Sequence, residues 1–270
     1  MVGLRTLSAF VVALCTLQSL PAWGEAPAVS EPNAKISVEG GSYDDASSAL
    51  ALGSLTIPLA LPFGLQADGA IGTIDGKAMG GGGMHLFTRN PSSYLLGAYG
   101  SYHTWDGINI WRAAAEGELF LNRFTLSGLA GYESVNVPST LDGLPVLTRD
   151  DRHFFTHVDL AYYITDDFKV SAGYRYLNET SFAAAGAEYL FRAAGAPMSI
   201  FVNSNFGVEE YTRVTGGLRI YLGEPAGKSL IARQRTADPE NYTPVFPPLN
   251  TTVPQSPSPP PCADGCEVPL

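Results

Sequence analysis

The stretch DDFKVSAGYRYLNET, residues 166–180, decides the fold class because its side chains alternate in character. Positions 168, 170, 172, 174 and 176 are apolar or aromatic, and the positions between them are Lys169, Ser171, Gly173 and Arg175. Alternate side chains of a β-strand point to opposite faces. The stretch therefore predicts a strand with one apolar face and one polar face, and the apolar face meets either a protein core or lipid.

Strands of this kind recur from about residue 34 to residue 222, with turn residues between them. Helical periodicity is never sustained there, so we predict about twelve strands, within a range of ten to fourteen. Tight turns such as 165–167 alternate with connections expected to be longer, at 103–109, 136–152 and 178–181. That alternation is typical of an antiparallel transmembrane β-barrel.

The two faces of the predicted strands suit lipid and a lumen. Aromatic side chains near the strand ends resemble the girdle of a membrane barrel, and the predicted lipid-facing residues are Phe124, Tyr132, Phe154, Tyr162, Phe168, Tyr174 and Tyr176. The opposite faces are densely charged, and the predicted lumen-lining residues are Arg112, Glu116, Glu118, Glu133, His157, Asp159, Lys169, Arg175, Glu188 and Arg219. The alternative is a soluble β-sandwich or periplasmic ligand-binding barrel whose charged face is outside.

The ends of the chain differ from the barrel region at 34–222. Residues 1–24 combine a basic residue, an apolar run and a small-residue stretch, which predicts a secretory signal peptide, and residues 25–33 follow as a linker. Residues 223–243 are predicted to be a short helix or an extended segment in the periplasm. Residues 244–270 are Pro-rich and predict a disordered periplasmic tail, in which export permits a disulfide between Cys262 and Cys266.

The charge balance excludes some functions and leaves others open. A formal net charge of −10 makes the chain a poor partner for nucleic acid. The inward positions of the predicted strands hold more acids than bases: Glu39, Asp68, Glu116, Glu118, Glu133, Asp159, Glu188 and Glu209 against Lys35, Arg112, Lys169, Arg175 and Arg219. A water-filled lumen of this kind favours cations weakly, whereas charges that pair with one another plug it.

No motif for catalysis or cofactor binding accompanies these charges. His157 and Asp159 share a strand face, as a base and its orienting carboxylate would, but no Ser at a telling spacing accompanies them. The Gly run at 80–83 is followed by no Lys-Ser/Thr pair and so is not a phosphate loop. We therefore predict no catalytic residue, no metal site and no cofactor, with a barrel-wall enzyme acting on lipid as the alternative.

The stretches SLTIPL…FGLQADGA, AEGELFLNRFTLSGLAGYE, GGLRIYLG and KSLIARQR…DPEN resemble a family of outer-membrane β-barrel proteins from alphaproteobacteria, over nearly the whole mature chain to about residue 242. The resemblance implies export, insertion into outer-membrane lipid and no catalytic residues. Barrels of that class are recognised by the barrel-assembly machinery through their last strand, whose pattern Thr215, Gly217, Ile220 and Leu222 match. We expect a porin-like barrel with a structural or passive-diffusion role, with small solutes as candidate partners.

Overall fold

A computed structural model describes the chain over residues 27–43, 46–59, 62–136, 140–141, 144–145, 150–207 and 212–242. Twelve long strands form one sheet: β1 Asn33–Tyr43, β2 Ala46–Pro58, β3 Phe63–Ile74, β4 Lys77–Asn90, β5 Tyr94–Trp105, β6 Ile108–Leu121, β7 Phe124–Asn136, β10 Asp150–Thr165, β11 Phe168–Leu177, β12 Thr180–Ala193, β13 Ala196–Gly207 and β14 Thr212–Leu222. The short strands β8 Thr140–Leu141 and β9 Leu144–Pro145 pair with each other between β7 and β10. One helix, α1 Leu230–Thr236, follows β14.

The sheet closes on itself as a twelve-stranded antiparallel barrel. Each long strand pairs with the long strands before and after it, and β1 pairs with β14 from Ala34↔Leu222 to Tyr43↔Arg213. A closed sheet has no edge strand, so every strand can satisfy its backbone hydrogen bonds within the barrel. The predicted all-β barrel of about twelve strands is confirmed. Over the described residues, no helix has the length and apolar character needed to cross a bilayer.

The two ends of the barrel differ in the parts of the chain that they carry. The terminal end holds Asn33 and Leu222, where the sheet begins and finishes, and the loop end holds the β7–β10 connection. Connections expected to be long at the loop end are two-residue turns, with φ values of 50° and 79° at Asp106 and Gly107 and of 45° and 64° at Asn178 and Glu179. Positive φ at both positions is the geometry that matches the twist of a hairpin. The predicted alternation of short and long connections is therefore wrong at 103–109 and at 178–181.

The outer surface of the barrel is a band of exposed apolar side chains. Among the described residues it includes Val38 at 55% exposure, Ile71 at 69%, Trp111 at 58% and Tyr132 at 67%. Such side chains alternate along each strand with buried ones, as they do in the pattern of β10 around Val158 and Leu160. A contiguous apolar exterior of this size is rare on soluble monomers and is what a membrane barrel presents to lipid.

Two glycines at the seam between β1 and β14 lie close to the backbone of the facing strand. A Cβ atom at Gly217 would clash with the Val38 carbonyl oxygen and the Phe201 ring, and one at Gly41 would clash with the Val214 carbonyl oxygen. Gly217 faces Glu39 across the seam, and Gly41 faces Thr215. Glycine is needed at both positions for packing, because any side chain there would push the closing strands apart.

Candidate functional site: the occupied barrel interior

The interior of the barrel is filled with charged side chains held in pairs across the wall. Four arginines each contact a carboxylate on the wall at 2.8–3.0 Å: Arg112 with Glu133, Arg175 with Asp159, Arg213 with Glu39, and Arg219 with Glu188. All eight side chains are at most 19% exposed. Charges removed from water are retained only when opposite charges and hydrogen bonds compensate them, so this pairing keeps the interior charged and stable.

Glu188 is the most connected of these carboxylates. Its Oε1 accepts hydrogen bonds from Ser199 at 2.7 Å, Arg219 at 2.8 Å and Tyr221 at 2.6 Å. Its Oε2 accepts one from Gln234 of α1 at 3.2 Å and lies 3.7 Å from Lys169 Nζ. A single side chain of β12 therefore connects three other strands, β11, β13 and β14, to the helix that follows them.

A second polar cluster lies about halfway along β4. The His85 ring lies between two carboxylates, with Nδ1 2.7 Å from Glu116 and Nε2 3.0 Å from Asp68. Gln66 donates to Asp68 at 2.9 Å and the Tyr99 ring lies 4.8 Å from the His85 ring. The histidine is fully buried, so the cluster joins the inner faces of the neighbouring strands β3 to β6.

The terminal end of the barrel is covered by α1 and by residues near the N-terminus. The helix lies across the turns, since the Ile231 amide donates to the Asp166 carbonyl at 3.0 Å and the Arg235 guanidinium donates to the Asn122 carbonyl at 2.6 Å. The Ser30 amide donates to the Thr236 carbonyl at 2.9 Å. Ala28 and Val29 are buried with Phe87, Leu95 and Phe120. These contacts hold α1 and residues 28–30 over the same mouth of the barrel.

Residues 237–242, called here the luminal segment, run from α1 into the barrel. The Asp238 carboxylate forms an ion pair with Lys35, whose Nζ also donates to the Pro239 carbonyl at 2.9 Å. Glu240 lies 3.3 Å from Lys169, and Asn241 donates to Ser54 at 2.9 Å. The short helix was one of the two predicted forms of 223–243, whereas the inward turn of the chain after it was not predicted from the sequence.

Tyr242 lies about halfway through the barrel. Its ring centroid is 5.8 Å from that of His85, 5.5 Å from that of Tyr99 and 5.6 Å from that of His157. These three residues are central in β4, β5 and β10. The described chain therefore extends from the terminal end to mid-depth.

The remaining interior is divided between an apolar cluster and a cavity. Toward the loop end, apolar side chains of β1 to β7 pack together inside the barrel: Tyr43, Leu50, Leu52, Ala70, Ile74, Met79, Ile108, Ile110 and Val135. The cavity lies beside the luminal segment against β10 to β14, where Arg175, Arg213, Arg219, Asn203 and His157 line it. Glu240 is 50% exposed although it lies inside the barrel, so its carboxylate faces this cavity.

The residues predicted to line the lumen lie on the inner side of the described strands. Seven of them are buried, namely Arg112, Glu116, Glu118, Glu133, His157, Lys169 and Glu188, while Asp159, Arg175 and Arg219 are half-buried beside the cavity. Of the residues predicted to face lipid, Phe124, Tyr132, Phe154, Tyr162 and Tyr174 are exposed, whereas Phe168 and Tyr176 are half-buried. Ile220 and Leu222 of the predicted assembly pattern are exposed on β14.

Two arginines of the interior were not predicted from the sequence to face inward. Arg89 and Arg213 are 2% and 3% exposed, and their inward positions follow from the alternation of β4 and β14. Arg213, at the start of β14, was not among the inward positions predicted from the sequence. With both included, seven wall carboxylates face seven wall bases among the described residues: Glu39, Asp68, Glu116, Glu118, Glu133, Asp159 and Glu188 against Lys35, Arg89, Arg112, Lys169, Arg175, Arg213 and Arg219.

Some predicted features cannot be located. Glu209, one of the acids assigned to the lumen, and the Cys262–Cys266 pair lie outside the described residues, as do residues 1–24 and the Pro-rich residues 244–270.

The histidine considered for catalysis is not arranged as a general base. Neither ring nitrogen of His157 has a hydrogen-bond partner among the described residues. Asp159, its supposed orienting carboxylate, contacts Arg175 at 2.8 Å instead. A base needs a nucleophile within hydrogen-bond reach, and the described surroundings of His157 supply none.

The sequence matches no family model and no curated protein. An outer-membrane channel from Pseudomonas putida F1 is similar in structure, with a TM-score of 0.52 and 12% identity, over 76% of this chain and 96% of that chain. The KdgM porin in complex with disordered oligogalacturonate has a TM-score of 0.48 and 10% identity, over 69% and 98%. An outer-membrane phospholipase dimer from Salmonella typhi with bound calcium has a TM-score of 0.42 and 10% identity, over 73% and 91%. At these identities the likeness shows a shared barrel fold alone.

Proposed function

We propose that this chain is an outer-membrane β-barrel with a passive-diffusion role, whose passage is narrowed by its own luminal segment. The observation that carries the proposal is the course of residues 237–242, which enter the charged interior from the terminal end and reach mid-depth at Tyr242. A barrel that only needed to anchor itself in lipid could fill its interior with wall side chains. A separate segment inside the wall is instead an element that can move without unfolding the barrel.

The membrane location rests on the outside of the barrel. The outside of the barrel carries a band of exposed apolar side chains, and a closed sheet is the only β-structure that satisfies its backbone in hydrocarbon. The fold shared with an outer-membrane channel is consistent with this location. In this proposal residues 1–24 direct export, the barrel-assembly machinery inserts the chain by reading β14, and residues 244–270 lie in the periplasm. The alphaproteobacterial resemblance belongs to the same proposal.

The preferred solutes follow from the interior charges. The seven acids and seven bases of the described wall balance, and the luminal segment adds Asp238 and Glu240. An interior with two excess carboxylates attracts cations and repels anions, although weakly, because most charges there are paired. We therefore propose a narrow passage with a slight preference for small cations while the segment is in place.

Truncation tests whether the segment narrows the passage. A chain ending at residue 236 keeps the barrel and α1 but lacks the luminal segment, and a chain ending at residue 242 keeps the segment as a matched control. In planar bilayers at equal salt, we expect the 236 chain to show severalfold larger single-channel steps, while the 242 chain matches the full chain. Heat-modifiable gel migration verifies that each variant has inserted as a barrel. Equal steps from the 236 and 242 chains would show that the segment does not narrow the passage.

A further inference from the structure

The ion pairs of the interior divide by residue type. The four arginines paired at 2.8–3.0 Å all have wall carboxylates as partners. The two lysines instead contact the luminal segment, Lys35 through Asp238 and Lys169 through Glu240. These four arginines are therefore paired within the wall, whereas both lysines contact carboxylates supplied by a separate piece of chain.

The luminal segment supplies the nearest carboxylate to each of the two lysines. Lys35 contacts only Asp238 and the Pro239 carbonyl among the described residues, with both ion-pair side chains at most 7% exposed. Lys169 lies 3.3 Å from Glu240 and 3.7 Å from Glu188. Because Glu188 already accepts hydrogen bonds from four other side chains, Glu240 is the carboxylate available to Lys169.

The segment itself is held mainly by side chains. Residues 238–242 make no backbone–backbone hydrogen bond to any other described residue, and the Glu240 carboxylate is half exposed to the cavity. The anchors of α1, such as the bond from Ile231 to Asp166, lie outside the lumen. The segment can therefore leave its place while the helix stays bound to the turns.

The cavity beside the segment carries further groups for a ligand. Arg175, Arg213 and Asn203 line it together with both lysines. His157 also lines it, is 4% exposed, and has no hydrogen-bond partner for either ring nitrogen among the described residues. A buried polar ring without partners is costly, and a ligand oxygen or hydroxyl in the cavity would satisfy it.

We propose that residues 237–242 are an internal competitor that occupies a binding site for a solute carrying two or more carboxylates. Asp238 and Glu240 stand where two solute carboxylates would contact Lys35 and Lys169, and the remainder of the solute would extend into the cavity toward His157 and Asn203. This inference rests on the proposed passive-diffusion function and names a solute class for it. Displacement of the segment removes the two excess acids and converts a slight cation preference into acceptance of anions.

Calorimetric titration of the detergent-solubilised full chain with citrate tests the site without requiring conduction. The double variant D238N/E240Q removes both segment carboxylates but keeps the shape of the segment. We expect it to bind citrate at least about tenfold more tightly than the parent. In the parent the segment occupies the site most of the time, and the apparent affinity for citrate falls in proportion to the fraction of molecules whose site is vacant. Adding Lys35→Met to the double variant should return binding to the parent level or below.

The matched control is E31Q/D75N, which removes two carboxylates outside the barrel interior. Asp75 is exposed and Glu31 is half-buried. This control should bind citrate with the affinity of the parent. Trimethyl citrate, which has the same skeleton without charge, should not bind any variant. Equal citrate affinity in parent and D238N/E240Q, or affinity unaffected by Lys35→Met, would overturn the proposal. If the double variant fails to fold, the single variant E240Q should also bind citrate more tightly than the parent, by a smaller factor.

Failure of this inference and failure of the passive-diffusion proposal have different signatures. Citrate binding that depends on Lys35, together with no single-channel steps after truncation at residue 236, would support the binding site and contradict the diffusion role. Conductance together with a citrate affinity that does not change in D238N/E240Q would support the diffusion role and contradict the binding site.

Discussion

Glu188 shows how much a single buried charge of the barrel interior depends on its surroundings. It is 4% exposed and contacts Arg219, Lys169, Tyr221 and two further side chains. The exposed pair of Arg123 and Asp166 has nearly the same separation, 2.9 Å, but its side chains are 42% and 63% exposed. Water competes for the second pair and not for the first, so equal distances carry different energies.

At the scale of residues, we expect Glu188→Gln to destabilise the protein far more than Asp166→Asn. The first leaves Arg219 inside the barrel without its charge partner and Lys169 with Glu240 alone, which costs about 3–5 kcal/mol. The second breaks an exposed pair and costs less than about 1 kcal/mol. Urea unfolding of both variants in the same detergent measures the difference. Similar midpoints for the two variants would mean that water reaches the interior network.

The element on which the barrel depends is the seam between β1 and β14, because no other strand pair joins residues so far apart in sequence. Ten residue pairs register the two strands, from Ala34↔Leu222 to Tyr43↔Arg213. Closure brings the ends of a long chain together at an entropic cost. The contacts at Gly41 and Gly217 are tight enough that the seam tolerates no added side chain.

At the scale of elements, we expect Gly217→Ala to weaken the seam by about 1–3 kcal/mol, the usual cost of overpacking. The added methyl group would meet the Val38 carbonyl oxygen on β1. Gly69→Ala is the matched control, because a Cβ there meets nothing within 4 Å, and it should change stability by no more than about 0.5 kcal/mol. Denaturant unfolding with heat-modifiable migration as the readout compares them. A Gly217 variant as stable as the control would show that β1 can shift to relieve the clash.

The whole molecule places apolar side chains outside and charges inside, the reverse of a water-soluble protein. Val158 at 41% exposure and Ile164 at 48% both point outward from β10, the first near its middle and the second beside its terminal end. In a membrane these positions differ in depth. On a water-soluble barrel they would be equivalent surface sites.

At the scale of the whole molecule, we expect Val158→Lys to cost about 2–4 kcal/mol and Ile164→Lys about 0–1 kcal/mol when the protein is folded into lipid bilayers. A lysine at mid-depth must place its charge in hydrocarbon, whereas one near the interface reaches the headgroups. Equilibrium folding into vesicles as a function of urea measures both. Equal small effects would contradict a lipid-facing exterior and favour the soluble barrel.

The amino-acid sequence by itself determined the strands and their two faces. Alternation with a period of two is a local property, and it identified Phe124 and Tyr132 as outward and Glu116 and Glu133 as inward before any pairing was known. The strand number followed from counting such stretches. The Asp106-Gly107 pair is a hairpin signal in the sequence, but the polar residues around it led to the prediction of a longer loop.

Only the tertiary structure decided what fills the barrel. Which acid meets which base depends on the curvature and register of the closed sheet, and Arg213 meets Glu39 across the seam between the first and last strands of the barrel. The luminal segment has no periodic pattern from which its position could be predicted. In sequence, Lys35 is 203 residues from its partner Asp238, and Lys169 is 71 residues from its partner Glu240. Strand formation is governed by neighbouring residues, whereas occupancy of an interior is governed by charges that become neighbours only once the barrel has closed.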